Sequence, residues 1–296
     1  MAVKAGQIRR PVRRPVRRQP KRWSRPIVIV PAIVAALLAI IVYGYTQALR
    51  DPVVRSIRLA EPSWPPGAAP IRLVLMSDLH VQGPDMPPAR LARIVNQVNA
   101  LQPDIIVLAG DYTTSSYIAT RTYSLPEAAE PLRLLKARLR KIAVLGNHDR
   151  ENVADSRAAL EGVGLTVLEN EAVEIGPLAI GAVHWGLKKA LKRLGERNGL
   201  RILVAHSPDP FPRLPDDVAL MLAGHTHCGQ VVLPLVGALV TGSKYGRRYM
   251  CGVVQGPSNT LIVSAGLGTS RVPLRLGAPP DIWLISLEPA QVDQPH

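Results

Sequence analysis

Asp78-Leu-His80 and His225-Thr-His227 are short motifs that each place two cation-binding side chains two residues apart. Asp111, Asn147 and His206 add three more groups of the same kind. The seven supply two carboxylates, four imidazoles and one amide oxygen. Such nitrogen and oxygen donors suit Zn, Fe or Mn, whereas thiolates would select other ions. Two divalent cations held close together need a shared anion to offset their repulsion, and Asp111 is the natural bridging carboxylate. A cation pair of this kind lowers the pKa of water toward neutrality and neutralises charge on the oxygens of an electrophile.

These residues are scattered from position 78 to position 227, so the fold must gather them. Each follows an apolar run. Residues 71–76 (IRLVLM) lead to Ser77-Asp78, 104–111 (DIIVLAGD) end at Asp111, and 141–149 (KIAVLGNHD) carry Asn147 and His148. Residues 201–207 (RILVAHS) hold His206, and 218–227 (VALMLAGHTH) end in the second pair. These runs read as buried strands. Between them, 88–101 space Leu91, Ile94, Val95, Val98 and Leu101 at helical intervals, and 126–139 put Leu132, Leu135 and Leu139 on one face. A helix over 152–161 is stopped by Gly162 and Gly164, and a short basic helix is predicted over 187–194.

Strands alternating with helices argue for an α/β architecture, richer in strands toward its end. In open α/β sheets, sites gather beyond the carboxyl ends of strands. Residues at i and i+2 of extended chain point to one side, so each motif can aim both ligands at one place. Gly110, Gly146 and Gly224 each precede a candidate ligand and allow close backbone approach. His184 stands beside Trp185 with no partner pattern and reads as structural.

The net charge of the 296 residues is +14, but ten Lys or Arg and no acidic residue lie in 1–25. That leaves +4 for the remaining 271, which is weak evidence for nucleic-acid binding by the folded part. The RRPVRRPVRR repeat within 1–25 reads as a basic disordered tail, because proline every fourth residue forbids a helix and like charges repel. Residues 26–49 carry no charge and predict a transmembrane helix. Tyr43 and Tyr45 suit an interfacial belt, and no small-x-small cleavage pattern follows, which favours an uncleaved anchor. The charge asymmetry puts the N-terminus in the cytoplasm and the body on the periplasmic or extracytoplasmic side of an inner (cell) membrane. Residues 50–70, with four prolines in 61–70, read as a linker. The catalytic body is expected over 71–288, with a tail over 289–296. Two cysteines, Cys228 and Cys251, make no framework, and a bridge between them is not required. Cys228 could serve as nucleophile, ligand or packed thiol, of which packing is favoured, since an activated water needs no protein nucleophile.

At these motifs the chain resembles the calcineurin-like metallophosphoesterases. Their pattern of D-x-H, G-D, G-N-H-[DE], a His and G-H-x-H stands here at Asp78-Leu-His80, Gly110-Asp111, Gly146-Asn147-His148-Asp149, His206 and Gly224-His225-Thr-His227. The segment Gly-His-Thr-His-Cys-Gly-Gln (224–230) and the ending over 266–287 are similar to a membrane-associated branch of YkuE and YaeI types, which also holds a UDP-2,3-diacylglucosamine pyrophosphatase. The resemblance implies a four-layer αββα sandwich with two divalent ions at one sheet edge. It implies Asp78, His80 and His227 on one ion, Asn147, His206 and His225 on the other, and Asp111 between them. It further implies that His148 is a non-ligand histidine beside the phosphate, with Asp149 orienting its imidazole.

The expected activity is therefore hydrolysis of a phosphodiester, phosphomonoester or pyrophosphate, of a lipid-linked or nucleotide-sugar kind, at the membrane. A non-catalytic metal-binding membrane scaffold is the alternative, and the complete ligand set weighs against it. Lys244, Arg247 and Arg248, and likewise Arg271 and Arg275, either contact a substrate phosphate or form a solvated face.

Overall fold

A computed structural model describes residues 25–290 apart from 62, 63, 66, 115 and 117. The Arg-Arg-Pro-Val repeat and residues 291–296 lie outside the described residues. Helix α1 (Arg25–Leu49) carries the uncharged run. Its segment Ile29–Leu49 has a mean hydropathy of 2.2 and is a candidate membrane span. The helix up to Ile40 is one compact unit, and the chain from Ile41 onward is another. Within the second unit, Gly44 and Ala48, four residues apart on one helical face, are buried, and the Gly44 carbonyl accepts the Arg275 N–H at 2.9 Å.

The body continues through β1 (Val53–Glu61), β2 (Ile71–Met76), β3 (Gln82–Gly83), α2 (Pro88–Ala100), β4 (Ile105–Leu108), β5 (Arg121–Thr122), α3 (Leu125–Ala129) and β6 (Arg140–Ala143). Then come α4 (Val153–Gly162), β7 (Thr166–Val167), β8 (Ala172–Ile175), β9 (Leu178–Val183), α5 (Leu187–Gly195), β10 (Leu200–Ala205) and β11 (Val218–Ala223). The last strands are β12 (Val232–Leu233), β13 (Gly237–Ala238), β14 (Gly252–Gln255), β15 (Thr260–Val263) and β16 (Asp281–Pro289).

Two six-stranded sheets dominate, in the orders β1-β16-β2-β4-β6-β7 and β14-β15-β11-β10-β9-β8. β2, β4, β6 and β7 run parallel, as do β9, β10, β11 and β15. The alternation of each strand explains the layers. Leu73, Leu75, Ile105 and Val107 of one sheet share a core with Ile180, Ile202, Val204 and Leu222 of the other. The opposite face of the first sheet, with Val74, Met76, Ile106 and Leu108, packs on Leu91, Ile94 and Val98 of α2 and Leu160 of α4. The outer face of the second sheet packs on Ala190 and Leu194 of α5. Helices therefore cover two face-to-face sheets, the αββα arrangement.

Two expectations need correction. Residues 53–61, read as linker, form β1, which pairs in parallel with β16 from Val53–Asp281 to Glu61–Pro289. Only Leu59 of this edge strand is buried, so its sequence, with Arg55 and Arg58, lacks the apolar signature of a central strand. The single helix over 126–139 is instead a short α3 followed by a 3-10 turn over Glu130–Leu134. Pro131 cannot donate the N–H that an α-helix needs at that point.

Candidate metal centre

Every predicted ligand stands one to four residues past the carboxyl end of a parallel strand. Asp78 and His80 follow β2, Asp111 follows β4, Asn147 follows β6, His206 follows β10, and His225 and His227 follow β11. The i, i+2 pairs do not converge by extended geometry, however. Asp78, His80, Asp111, His225 and His227 all have left-handed backbones, with φ of 49°, 43°, 59°, 71° and 50°. The chain turns sharply as it leaves each strand, and that turn aims the side chains.

The structure brings all seven residues together. Asp78, His80 and His227 offer ligand atoms to one place, and Asp111, His206 and His225 to another. His227 Nε2 lies 3.5 Å from Asp78 Oδ1 and 3.1 Å from His80 Nε2. Asp111 Oδ2 lies 3.6 Å from His80 Nε2 and 3.1 Å from His206 Nε2, within reach of both groups. Asn147 Oδ1 is 3.0 Å and His225 Nδ1 3.1 Å from His206 Nε2.

The donor set fits a cation for a reason visible at His206. Its Nδ1–H donates to the Ala109 carbonyl at 2.7 Å. In the neutral ring Nε2 is then a lone pair, yet it faces the carboxylate, amide and imidazole acceptors of Asp111, Asn147 and His225. A positive charge at that spot would reconcile them. The same demand shows in protonation. Burial alone would lower the His206 pKa, but the Asp111 carboxylate outweighs it and raises the pKa to about 9. Burial would raise Asp111, yet His206 and His80 hold it well below the usual carboxylate range. Burial pushes His80 down to about 4 and also lowers His225 and His227, leaving their nitrogens as open donors. Burial raises Asp78.

The surroundings fix these groups. Asp78 accepts the Ser77 hydroxyl at 2.5 Å and the His225 N–H at 2.9 Å. A Cβ on Gly146 would collide with Asp111, and one on Gly224 with Ser77 and Asp78. Arg275 is fully buried and donates to the carbonyls of Ala265, Gly266, Gly268 and Ala278, with Nη2 3.5 Å from His227 Nδ1. It is thus neither a solvated face nor a substrate contact, but the clamp of the 265–268 loop against Asp78 and Leu79. Its signal in sequence is a lone cation inside the apolar stretch VPLRLGAPP.

Asp149 also differs from expectation. Its oxygens accept the N–H groups of Gly146, Asp111 and Tyr112 at 2.8, 2.8 and 3.0 Å. Those contacts hold the Asp111 turn, and none reaches the His148 ring. Burial and the nearby Asp111 raise its pKa to about 6. His148 is exposed, donates its backbone N–H to Asp111 Oδ1 at 2.9 Å, and sets its ring edge-on to His80 at 5.1 Å. Beside it opens a cavity of about 500 Å³ that Thr113, Leu125, Asn152 and Asp155 help to line. Cys228 is no free thiol: it is bonded to Cys251. His184 lies apart from the cluster, its Nδ1 3.4 Å from Glu169.

Residues 71–229 match the family described as calcineurin-like phosphoesterase, and this chain belongs to that family. Its body is a metal-dependent phosphoester hydrolase domain. Among its relatives is the uncharacterized metallophosphoesterase YkuE of Bacillus subtilis (strain 168), 30% identical over 83% of this chain and 90% of that protein. Phosphodiesterase YaeI of Escherichia coli (strain K12) is 28% identical over 74% of this chain and 83% of that protein. A transmembrane protein with metallophosphoesterase domain from Danio rerio is 30% identical over 87% of this chain, which spans only 62% of that protein's length.

Proposed function

We propose that this chain is a membrane-tethered phosphoesterase that hydrolyses phosphate esters with two divalent ions. The observation that carries the reading is Asp111 Oδ2 lying within reach of both ligand groups. Asp78, His80 and His227 would hold one ion, Asn147, His206 and His225 the other, and Asp111 would bridge them. Bound there, the ions, of Mn, Fe or Zn, would supply Lewis acidity to the phosphoryl oxygens and make water a nucleophile near neutral pH. The protein's own groups do the rest. The Ala109 carbonyl keeps Nδ1 of His206 protonated, so Nε2 faces the site. Asp149 anchors the Asp111 turn through its three backbone hydrogen bonds. His148, at the open edge, donates a ring proton to the departing ester oxygen.

Three features support this location. The ten basic residues that precede the candidate span favour a cytoplasmic N-terminus. The Cys228–Cys251 bond suits an oxidising compartment, which supports a catalytic body outside the cytoplasm. The single span in turn suits a substrate at the membrane surface, lipid-linked or of nucleotide-sugar type, because tethering raises its local concentration.

The test uses the detergent-solubilised full chain, since a cut at residue 60 would remove most of β1. Metal content, and hydrolysis of a soluble chromogenic diester and of dispersed lipid phosphates, are measured with and without added Mn²⁺. Two ions per chain and metal-dependent turnover are expected. A purified chain that takes up ions but turns over no ester would revive the scaffold alternative.

A further inference from the structure

Between the ligand loop and β14 the chain makes an excursion that the hydrolytic centre does not use. β12 and β13 form a hairpin whose tip and far arm are apolar and uncovered: Leu235 is fully exposed, and Val236, Leu239 and Val240 are 56%, 59% and 66% exposed. Four such side chains in six residues are not core, and water is a poor medium for them. The hairpin starts four residues after His227, and its base is packed on the ligand loop. A Cβ on Gly229 would lie 3.2 Å from the Val240 carbonyl, and one on Gly242 would lie 3.0 Å from Thr226 Cα.

Charge and connectivity name the occupant of this surface. From Val218 to Pro280 there is no acidic residue, while Lys244, Arg247, Arg248 and Arg271 are exposed. Arg247 donates to the Val236 carbonyl, so a guanidinium rests against the apolar tip. The arrangement of apolar tip and basic collar matches an anionic bilayer surface, with hydrocarbon below and phosphates at its rim. The hairpin is also tied to the outer end of the candidate span. Val232 N–H donates to Leu276 O at 2.8 Å, Leu276 N–H to Gln230 O at 2.9 Å, and Arg275 N–H to Gly44 O at 2.9 Å. Gly44 lies between Tyr43 and Tyr45, the residues suited to the interface.

We propose that hairpin 231–240, with the basic loop that follows it, docks on an anionic lipid bilayer and dips its tip into the headgroup boundary beside the metal centre. The substrate is then a phosphate ester still seated in the membrane, presented sideways to the ions rather than captured from solution. The proposal rests on the membrane-tethered reading above, and the disulfide Cys228–Cys251 holds the whole excursion to the ligand loop.

The full chain is reconstituted in vesicles of phosphatidylcholine and phosphatidylglycerol, as parent and as Leu235→Trp. With brominated phosphatidylcholine, the emission added by the new tryptophan should be quenched, over and above the parent's native tryptophans. A second variant, Leu235→Asp with Leu239→Asp, should hydrolyse a vesicle-embedded phospholipid ester roughly tenfold more slowly or worse, while its kcat/KM on a soluble chromogenic ester is unchanged. Added emission that brominated lipid leaves untouched would overturn the docking. So would a dimer in detergent that the double aspartate variant splits, since the tip would then cover a second copy. Failure of the parent on both esters would instead sink the hydrolytic reading, leaving the quenching result to judge the hairpin alone.

Discussion

Ion uptake by this site should depend steeply on pH, and His206 sets the slope. Its imidazole is fixed through Nδ1 to the Ala109 carbonyl, and Nε2 is surrounded by Asp111, Asn147 and His225. Asp111 raises its pKa to about 9 against the opposing effect of burial. The folded protein therefore holds a proton there that the unfolded chain, near the ordinary histidine value of about 6.5, would have released. Without added ions, that proton stabilises the fold fully below about pH 6.5, and the contribution is lost as pH rises through about 9. A divalent ion must displace the same proton. At pH 7 the gap to about 9 costs roughly 3 kcal/mol, and at pH 9 half the sites are already free of the proton, so apparent affinity should be about fiftyfold weaker at pH 7 than at pH 9. Calorimetric titration of the chelator-treated full chain with Mn²⁺, in buffers of different ionisation enthalpy, would count the protons released. About one proton per chain is expected below pH 8, and His206→Gln should bind weakly with a flat profile. Affinity that stays constant from pH 7 to 9 with no proton released would refute the assignment of His206.

Four other outcomes follow from the same contacts. His148→Ala should retain both ions and lose about 10²–10⁴-fold in turnover, read as kcat on a diester beside metal analysis. Asp149→Asn keeps the shape but leaves at least one of three buried N–H groups facing an amide NH₂. It should cost about 1–3 kcal/mol in denaturant unfolding and weaken ion binding through the Asp111 turn. Gly224→Ala drives a methyl into Ser77 and Asp78 and should lose about 1–3 kcal/mol together with the ion held by Asp78, by thermal unfolding and metal content. Cys251→Ser opens a loop with a sequence separation of 23 and should lower stability by about 3 kcal/mol, a loss that reductant reproduces in the parent only.

The central strands and the seven ligand positions were readable because two periodic signals coincide at them: an apolar run, then a cation-binding side chain beside a glycine. β2, β4, β6, β10 and β11 each end in buried apolar residues just before the ligand, and the only breaks in their apolar runs are Arg72, Arg140, Lys141 and Arg201 nearer the strand starts, so each strand's end is obvious. What escaped has weaker local character. β1 is half exposed and earns its place only by pairing with β16, more than two hundred residues away. Arg275 acts on backbone carbonyls through four contacts that no spacing rule encodes. The resemblance implies that Asp149 orients the His148 imidazole, whereas the turn after β6 points its carboxylate back at backbone N–H groups, a direction that a motif does not encode. Pairing of Cys228 with Cys251 depends on β14 returning beside the ligand loop, a long-range event.

The left-handed backbones at Asp78, His80, Asp111, His225 and His227 bear on how the site is built. For residues other than glycine such conformations cost of order 1–3 kcal/mol each, and they persist only where neighbours over-determine them. Here the ligand loops bond to one another directly. Asp78 N–H reaches Gly110 O at 2.9 Å, His80 N–H reaches Asp111 O at 3.1 Å, and Val81 N–H reaches Tyr112 O at 2.9 Å, which carries the β2–β4 pairing past the strand ends. Within the second sheet Gly224 N–H meets His206 O at 2.9 Å, and across the sheets Gly268 N–H meets Asp78 O at 2.8 Å, with Arg275 clamping the latter loop. These bonds connect strained turns from both sheets into one main-chain network. The cost of arranging the donors is therefore met by folding, so that uptake of a cation, apart from the proton at His206, requires little further ordering of the chain.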